Sequence, residues 1–394
     1  MVGISKLYCD TIEPSDVLRY GRSSAHLPSH LLQFSKDKRP VVIMNITKRC
    51  NLHCVHCYAG SGNKAGENEL STQELLKVLD DLADFGCPVI LFSGGEPLLH
   101  PDIVKLSKYA VERGMRAVIS TNGTLITPTM ADELAGIGLS YIGISLDGGS
   151  EIHDRFRGIQ GAFDRSLEGL RNARDAGIKT GLRFTITARN ASEIPHIFGI
   201  IEKENIPRVC FYHLVYTGRG EGMLEDTLSH EKTREVVNFL IDKTVDLHNR
   251  GKKVEVLTVD NHCDGPYLYL RLLRENPDRA SNVLKLLEFN GGNNTGVGVA
   301  AINWDGYVFP DQFWRTRILG NICKRPFGDI WLNSENTFLM KLKNKKEHVT
   351  GRCARCRFLD MCGGNFRVRA ESVTGDVWSP DPACYLTDEE IGIE

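Results

Sequence analysis

From residue 41 onward the chain repeats one unit, a short apolar run, a turn and a helical stretch, and this repeat limits the possible folds more than any other feature. The runs Val41 to Ile46, Pro88 to Phe92, Ala117 to Ser120, Tyr141 to Leu146, Leu182 to Ile186 and Val209 to Val215 are mostly rich in β-branched residues and bounded by turn residues, as buried parallel strands are. Between them lie helices. The clearest opens at Ser71 with Glu74 three residues on, a capping box, and continues with Leu75, Leu76, Val78, Leu79 and Leu82 at helical spacing. Others run from Pro101 to Arg113 and follow Thr127-Pro128. Alternation of this kind gives a parallel sheet with helices outside, as an open doubly wound sheet or as a curved partial barrel, and both place chemistry at the carboxyl ends of the strands.

Those ends carry the motifs. Cys50, Cys54 and Cys57 follow the first run, and Ser93-Gly94-Gly95-Glu96-Pro97 the second. Ser120-Thr121-Asn122-Gly123 and Ser145-Leu146-Asp147-Gly148 follow the third and fourth. A second cysteine group lies at the back, Cys353-x2-Cys356-x5-Cys362 with a distant Cys384, so that seven of the 12 cysteines fall in two groups. Zinc is an alternative for such pairs, with His53 and His56 as further ligands at the front, although structural zinc wants four ligands and the front group offers three thiols. Disulfides fit less well. The opening MVGISKLYCD lacks the apolar stretch of a signal peptide, and a reducing cytoplasm is expected.

A three-cysteine loop with Gly-Gly-Glu-Pro after the second strand resembles the radical S-adenosylmethionine (SAM) enzymes. The resemblance implies a partial (β/α)6 TIM-like barrel and a [4Fe-4S] cluster on Cys50, Cys54 and Cys57 whose fourth iron is open to SAM. It implies cofactor contacts from Gly94, Gly95 and Glu96 at the methionine amino group and from Ser145 and Asp147 near the ribose, with Asn122 and Arg157 as further polar contacts. Taken alone, Gly94-Gly95 also reads as a tight turn, and Ser, Asn and Asp as ordinary loop residues. The rear group resembles the SPASM extension and implies one auxiliary [4Fe-4S] cluster on Cys353, Cys356, Cys362 and Cys384. This fully ligated cluster is a candidate for handling an electron. The match is incomplete: Phe366 stands where a further cysteine is usual, and Asp311 where Gly306 would be followed by one. Asp311 is thus the candidate ligand of a second auxiliary cluster. Cys9, Cys87, Cys210, Cys263 and Cys323 have no matching spacing and are expected to be small buried residues.

Four further stretches, Gly3 to Cys9, Pro28 to Phe34, Val259 to Tyr267 and Asp381 to Tyr385, resemble tetrapyrrole-modifying members of this family. Most similar are deacetylases of the alternative haem pathway, which remove acetates from 12,18-didecarboxysirohaem to give iron-coproporphyrin III. Haem d1 enzymes, which act on propionates of the same substrate, are the second reading. An iron tetrapyrrole is flat, apolar on its faces and ringed by carboxylates, so it calls for aromatics with cations at the rim. Phe313-Trp314-Arg315-x-Arg317, Phe366-Arg367-x-Arg369 and Tyr216-Thr217-Gly218-Arg219 offer these, though such pairs also occur on ordinary surfaces. His262 and then His213 are the candidate iron ligands. No catalytic side chain is assigned.

Composition sets limits. Across 394 residues, 41% hydrophobic and 25% charged content with a formal net charge of −2 argue against a disordered, membrane-spanning or nucleic-acid-coating chain. The expected organisation is an amino-terminal extension (1–40), a barrel (41–225), a helical linker (226–300) that includes the stretch from Ser229 to Asn249, and a cluster-bearing extension (301–394). The resemblance also implies a low-potential electron donor such as ferredoxin or flavodoxin. A peptide maturase would share the clusters, but about 40 residues before the first strand are few for a leader-binding module. A plain electron carrier would leave Gly94 to Pro97 without purpose.

Overall fold

The computed structural model describes residues 1–11 and 39–393. The Pro28 to Phe34 segment singled out above lies outside them. The six expected strands are all present: β2 (Val41–Asn45), β3 (Val89–Ser93), β4 (Arg116–Thr121), β5 (Tyr141–Ser145), β6 (Thr180–Ile186) and β7 (Arg208–His213). Strand β8 (Glu255–Val259) continues the parallel run, and β1 (Val2–Gly3) closes that edge antiparallel to it. At the other edge β9 (Val299–Ile302) pairs parallel with β2, followed by antiparallel β10 (Tyr307–Phe309) and β11 (Gly320–Asn321). The stretch 226–300 is therefore mostly helical but also supplies a barrel strand and the start of β9.

Strand order decides between the two architectures left open by the sequence. From β2 to β8 spatial order equals chain order, with no reversal. A doubly wound sheet needs a reversal point. Without one, right-handed crossovers put every helix on the same face and the sheet curls around the other. The side chains sort accordingly. Val42, Met44, Ile90, Phe92, Ile119, Ile142, Leu182, Phe184, Val209 and Phe211 join one large core with the helices. Alternate residues form small clusters within the curl, such as Ile43 with Ala301 and Phe309, and Val89 with Val118 and Tyr141.

The helices start where the sequence says. Ser71 accepts from the Glu74 amide, and the Glu74 carboxylate accepts from the Ser71 amide at 2.8 Å, ahead of the helix Thr72–Phe85. Thr127 caps Pro128–Gly136 and Ser229 caps His230–Asn249. Each such cap is worth about 1 kcal/mol. No helix among the described residues is long and apolar enough to cross a membrane.

Candidate functional site

The loop after β2 brings Cys50, Cys54 and Cys57 to a cavity of about 180 Å3 at the carboxyl ends of the strands. Gly94, Gly95, Asn122, Ser145 and Arg157 line the same cavity. The cysteine loop is held largely by backbone bonds. The Cys50 amide donates to Gly62 at 2.6 Å, and His53 and Val55 donate to Arg157 and Phe156 at 3.0 and 2.9 Å. The Leu52 and Ser61 amides point at the Cys50 and Cys57 sulfurs, at 3.4 and 3.5 Å. Burial pushes the Cys50 thiol up to about 12 and also raises Cys54, the latter against the pull of Arg157. Buried thiols of this kind lose their protons to a bound metal centre more readily than to water.

Several residues expected to touch the cofactor also hold this loop. A Cβ on Gly94 would collide with the Thr47 carbonyl, and one on Gly95 with the Arg49 carbonyl. The two glycines thus let the second loop seat against the first, with Gly95 and Glu96 amides donating to Thr47 and Arg49 at 2.7 and 2.8 Å. Glu96 is fully buried and does not line the cavity. It accepts from the Thr121 hydroxyl at 2.6 Å and from the Asn122 and Leu98 amides at 2.8 and 3.1 Å, so its carboxylate fixes the third loop. Burial pushes Glu96 up to about 7 despite those donors. Asn122 donates to Asn51 in the cysteine loop at 2.8 Å.

Asp147 is likewise fully buried behind the cavity wall. One oxygen accepts from the Thr185 amide at 2.8 Å; the other pairs with Arg157. Arg157 in turn reaches the Cys54 sulfur at 3.5 Å. Burial opposes both charges, but each outweighs it for the other: Asp147 stays below the usual carboxylate range and Arg157 above its ordinary value. A guanidinium is thereby fixed beside the thiolate that a cluster would need.

Tyr58, Phe313, Tyr212 and His213 also line the cavity. Tyr58 meets Phe313 edge-on at 5.3 Å, and Phe313 meets Phe366 at 5.5 Å, so aromatic rings run from the cavity toward the rear extension. Phe366, in the place of a further cysteine, serves as packing. His213 Nε2 is 2.9 Å from Asp264, whose other oxygen accepts from Tyr385 at 2.8 Å. His262 is buried outside this lining, its amide donating to Asn365 at 2.6 Å, and burial drives its imidazole well below the ordinary value. Of the two candidate histidines only His213 reaches the cavity.

The arginines divide as well. Arg219 lines the cavity, yet it donates to the Cys54 and Ser61 carbonyls at 2.7 Å each and clamps the cysteine loop. Arg315 lies on the Trp304 ring, 4.7 Å from its centre, outside the lining. Arg317 pairs with Glu371 at the surface. Arg367 donates to the carbonyls of Val377, Ser379 and Gly364, and Arg369 grips Asp381 with two bonds of 2.9 Å while donating to Leu214 and Asp260. Arg317, Arg367 and Arg369 thus build the rear extension and latch it to the barrel mouth; they are not rim cations.

At the rear, Cys353, Cys356, Cys362 and Cys384 converge on a second, smaller cavity of about 20 Å3. Burial raises the first three thiols. Cys263 joins them there, its thiol donating to Asn261 Oδ1 at 3.1 Å, and its closeness to Cys384 lowers that thiol. Sequence spacing gave no sign of this fifth cysteine. Cys87 and Cys210 are buried as expected, whereas Cys9 is half-buried and Cys323 exposed because they sit on the outer surface of short peripheral elements. Asp311 is buried and committed: it accepts from Thr295 at 2.7 Å and from the Phe313 and Trp314 amides at 2.9 and 3.0 Å. It folds the turn after β10, which removes the reason to place a second auxiliary cluster on it.

Comparison with known proteins follows the same division. The model of the radical SAM superfamily matches residues 44–199, and that of an iron-sulfur cluster-binding domain, SPASM, matches 295–357. Fe-coproporphyrin III synthase of Methanosarcina barkeri is 59% identical over 395 residues, covering 100% of this chain and 99% of its own length. Pre-heme d1 synthase of Dinoroseobacter shibae is 39% identical, covering 90% of this chain and 88% of its own. Among solved structures, SuiB of Streptococcus suis bound to S-adenosylmethionine superposes with a TM-score of 0.70 at 18% identity, over 91% of this chain and 81% of that one.

Proposed function

This chain belongs to the radical SAM family that includes Fe-coproporphyrin III synthase, and we propose that it makes Fe-coproporphyrin III by removing the acetate side chains of 12,18-didecarboxysirohaem. It is a radical SAM enzyme of haem biosynthesis, with SAM, a [4Fe-4S] cluster and an auxiliary iron-sulfur cluster as cofactors. The observation that carries the proposal is the convergence of Cys50, Cys54 and Cys57 on one cavity that aromatic rings and His213 also line. Two buried thiols and a half-buried one, with amides aimed at two of the sulfurs and a fixed guanidinium at the third, suit a cluster that carries net negative charge.

We assign the front cluster to these three cysteines and the auxiliary cluster to Cys353, Cys356, Cys362 and Cys384. Held by Cys50, Cys54 and Cys57, a reduced cluster with SAM would supply the radical chemistry that acts on a C–H bond of the substrate. The chain's own contribution is placement. Gly94, Gly95, Asn122 and Ser145 shape the cofactor side, while Asp147 and Glu96 act behind them by fixing Arg157 and the third loop. Tyr58 and Phe313 offer apolar faces to a macrocycle. His213 is the candidate axial ligand, since the Asp264 contact to Nε2 leaves Nδ1 for iron and fixes the ring. The rear extension, latched through Arg369 and Asp381, keeps water from that side. Division at 40, 225 and 300 remains the working plan of the chain, with a cytoplasmic setting and a ferredoxin or flavodoxin as electron donor.

The test is anaerobic incubation of reduced, reconstituted protein with SAM and 12,18-didecarboxysirohaem. Loss of two acetates with formation of 5′-deoxyadenosine is expected. An unchanged macrocycle rejects the assignment, and loss of mass at the propionates favours the chemistry of the haem d1 branch, to which the 39% identical relative belongs by name.

A further inference from the structure

One charged residue of the cavity is used by nothing described above. On β6, Leu182, Phe184 and Ile186 face the helices. Strand alternation therefore turns Arg183 and Thr185 into the curl, where both line the cavity. Arg183 is paired in register with Ser145 on β5 and Cys210 on β7, below the carboxyl ends of the strands. Its guanidinium lies over Gly143, and a Cβ there would collide with Arg183 Nε. The glycine in the middle of β5 thus has a local reason: a side chain would occupy the space the guanidinium fills.

Arg183 Nε is buried without a hydrogen-bond partner. The groups around it are the phenols of Tyr212 and Tyr141, the Cys210 thiol and the like-charged Arg208. The Tyr212 ring centre is 5.9 Å from the guanidinium carbon. Glu255, the nearby acid, is paired with Arg208 at 3.4 Å. Asp260, the one carboxylate lining the cavity among the described residues, is pushed up to about 7 by burial, against the pull of the amino terminus, Arg369 and His213. A guanidinium enclosed in protein without a carboxylate is costly unless something arrives to pair with it.

We propose that Arg183 is the substrate anchor of this site: it receives one carboxylate arm of the tetrapyrrole inside the barrel and so sets how the macrocycle lies against the radical source. This rests on the function proposed above. Arginine suits the role because its planar fork takes both carboxylate oxygens and keeps its charge when buried. The phenols beside it give the arm an enclosed, weakly polar bed in which the pairing is strong. The specificity that follows is for an acidic side chain at that position and against an amide or ester.

The experiment uses the full-length, reconstituted protein and follows tetrapyrrole binding by its visible absorption, with kcat and KM measured separately. Arg183→Gln is expected to weaken binding by about ten- to a hundredfold, and Arg183→Lys to restore part of it. Iron content and the midpoint of denaturant unfolding are expected to match wild type, which separates a lost anchor from a damaged fold. An analogue with its acetate and propionate groups amidated completes a cycle: it should lose affinity for wild type but lose less for Arg183→Gln. Unchanged binding by Arg183→Gln, or equal losses on amidation in both proteins, overturns the anchor while leaving the proposed function intact. A wild-type protein that cleaves SAM but binds no tetrapyrrole overturns both.

Discussion

The two cysteine groups are built in opposite ways. The front three come from one eight-residue loop and line a cavity of about 180 Å3, whereas the rear four come from segments about 20 residues apart and enclose about 20 Å3. The front loop is steadied by every neighbouring strand-end loop, so that the sulfurs are fixed while a face stays open. The rear site is wrapped by its own chain and by Cys263 from the barrel side. An open, externally braced trio suits a cofactor that must exchange its ligand; a closed set suits a centre that holds its shape. The same fold thus separates chemistry from support.

Removing the thiols gives the sharpest contrast. Combining Cys50→Ala, Cys54→Ala and Cys57→Ala should abolish 5′-deoxyadenosine formation, a loss of at least about a thousandfold, while leaving the rear iron in place; iron and sulfide counts check this. The latch comes next. Asp381→Ala leaves Arg369 buried without its partner and should destabilise the fold by about 3–5 kcal/mol, read by denaturant unfolding of the holoprotein. At the front, Asp147→Asn removes the charge that fixes Arg157. SAM cleavage should fall about tenfold with iron content preserved, and an equal loss of iron would mean that the pair holds the cluster rather than its ligand. At the rear, Cys263→Ser should retain all iron and only shift the auxiliary signal in electron paramagnetic resonance, whereas Cys384→Ala should lose that cluster.

The smallest effect is on pH dependence. Glu96 is raised in the fold to about 7, so between its ordinary carboxylate range and about pH 7 the folded chain holds a proton that the unfolded chain has released. Stability contributed by this group is present below that window and is lost as pH rises through it. Glu96→Gln should flatten this decline in a melting series from pH 5 to about 7.5, since the amide does not titrate.

Most of the barrel was legible because buried β-branched runs and capping residues are local signals: Ser71 with Glu74 and Thr127 with Pro128 mark helices on their own. Strand β8 was less visible, because Lys252 and Lys253 precede it and Glu255 lies within it, an acid that its pair with Arg208 helps to make tolerable inside. The cysteine loop could be read as a metal site from spacing, and as a site for a SAM-binding cluster from its resemblance, with Gly94 to Pro97, to the radical SAM family. What could not be read was the use of each polar group. Arg367 and Arg369 look like rim cations beside aromatics, but tertiary contacts spend them on carbonyls and Asp381. Arg183 looks like an interruption in an apolar strand until Gly143 is seen across from it. Cys263 gives no signal in sequence because Cys384, whose cavity it shares, is 121 positions away.

The most direct measurement is electron paramagnetic resonance of the reduced protein with and without SAM, on wild type and on the front triple variant. A front-cluster signal that changes when SAM is added to wild type, and is missing from the variant, is the expected result. A wild-type spectrum indifferent to SAM, or a SAM response that survives loss of Cys50, Cys54 and Cys57, would contradict the site described above.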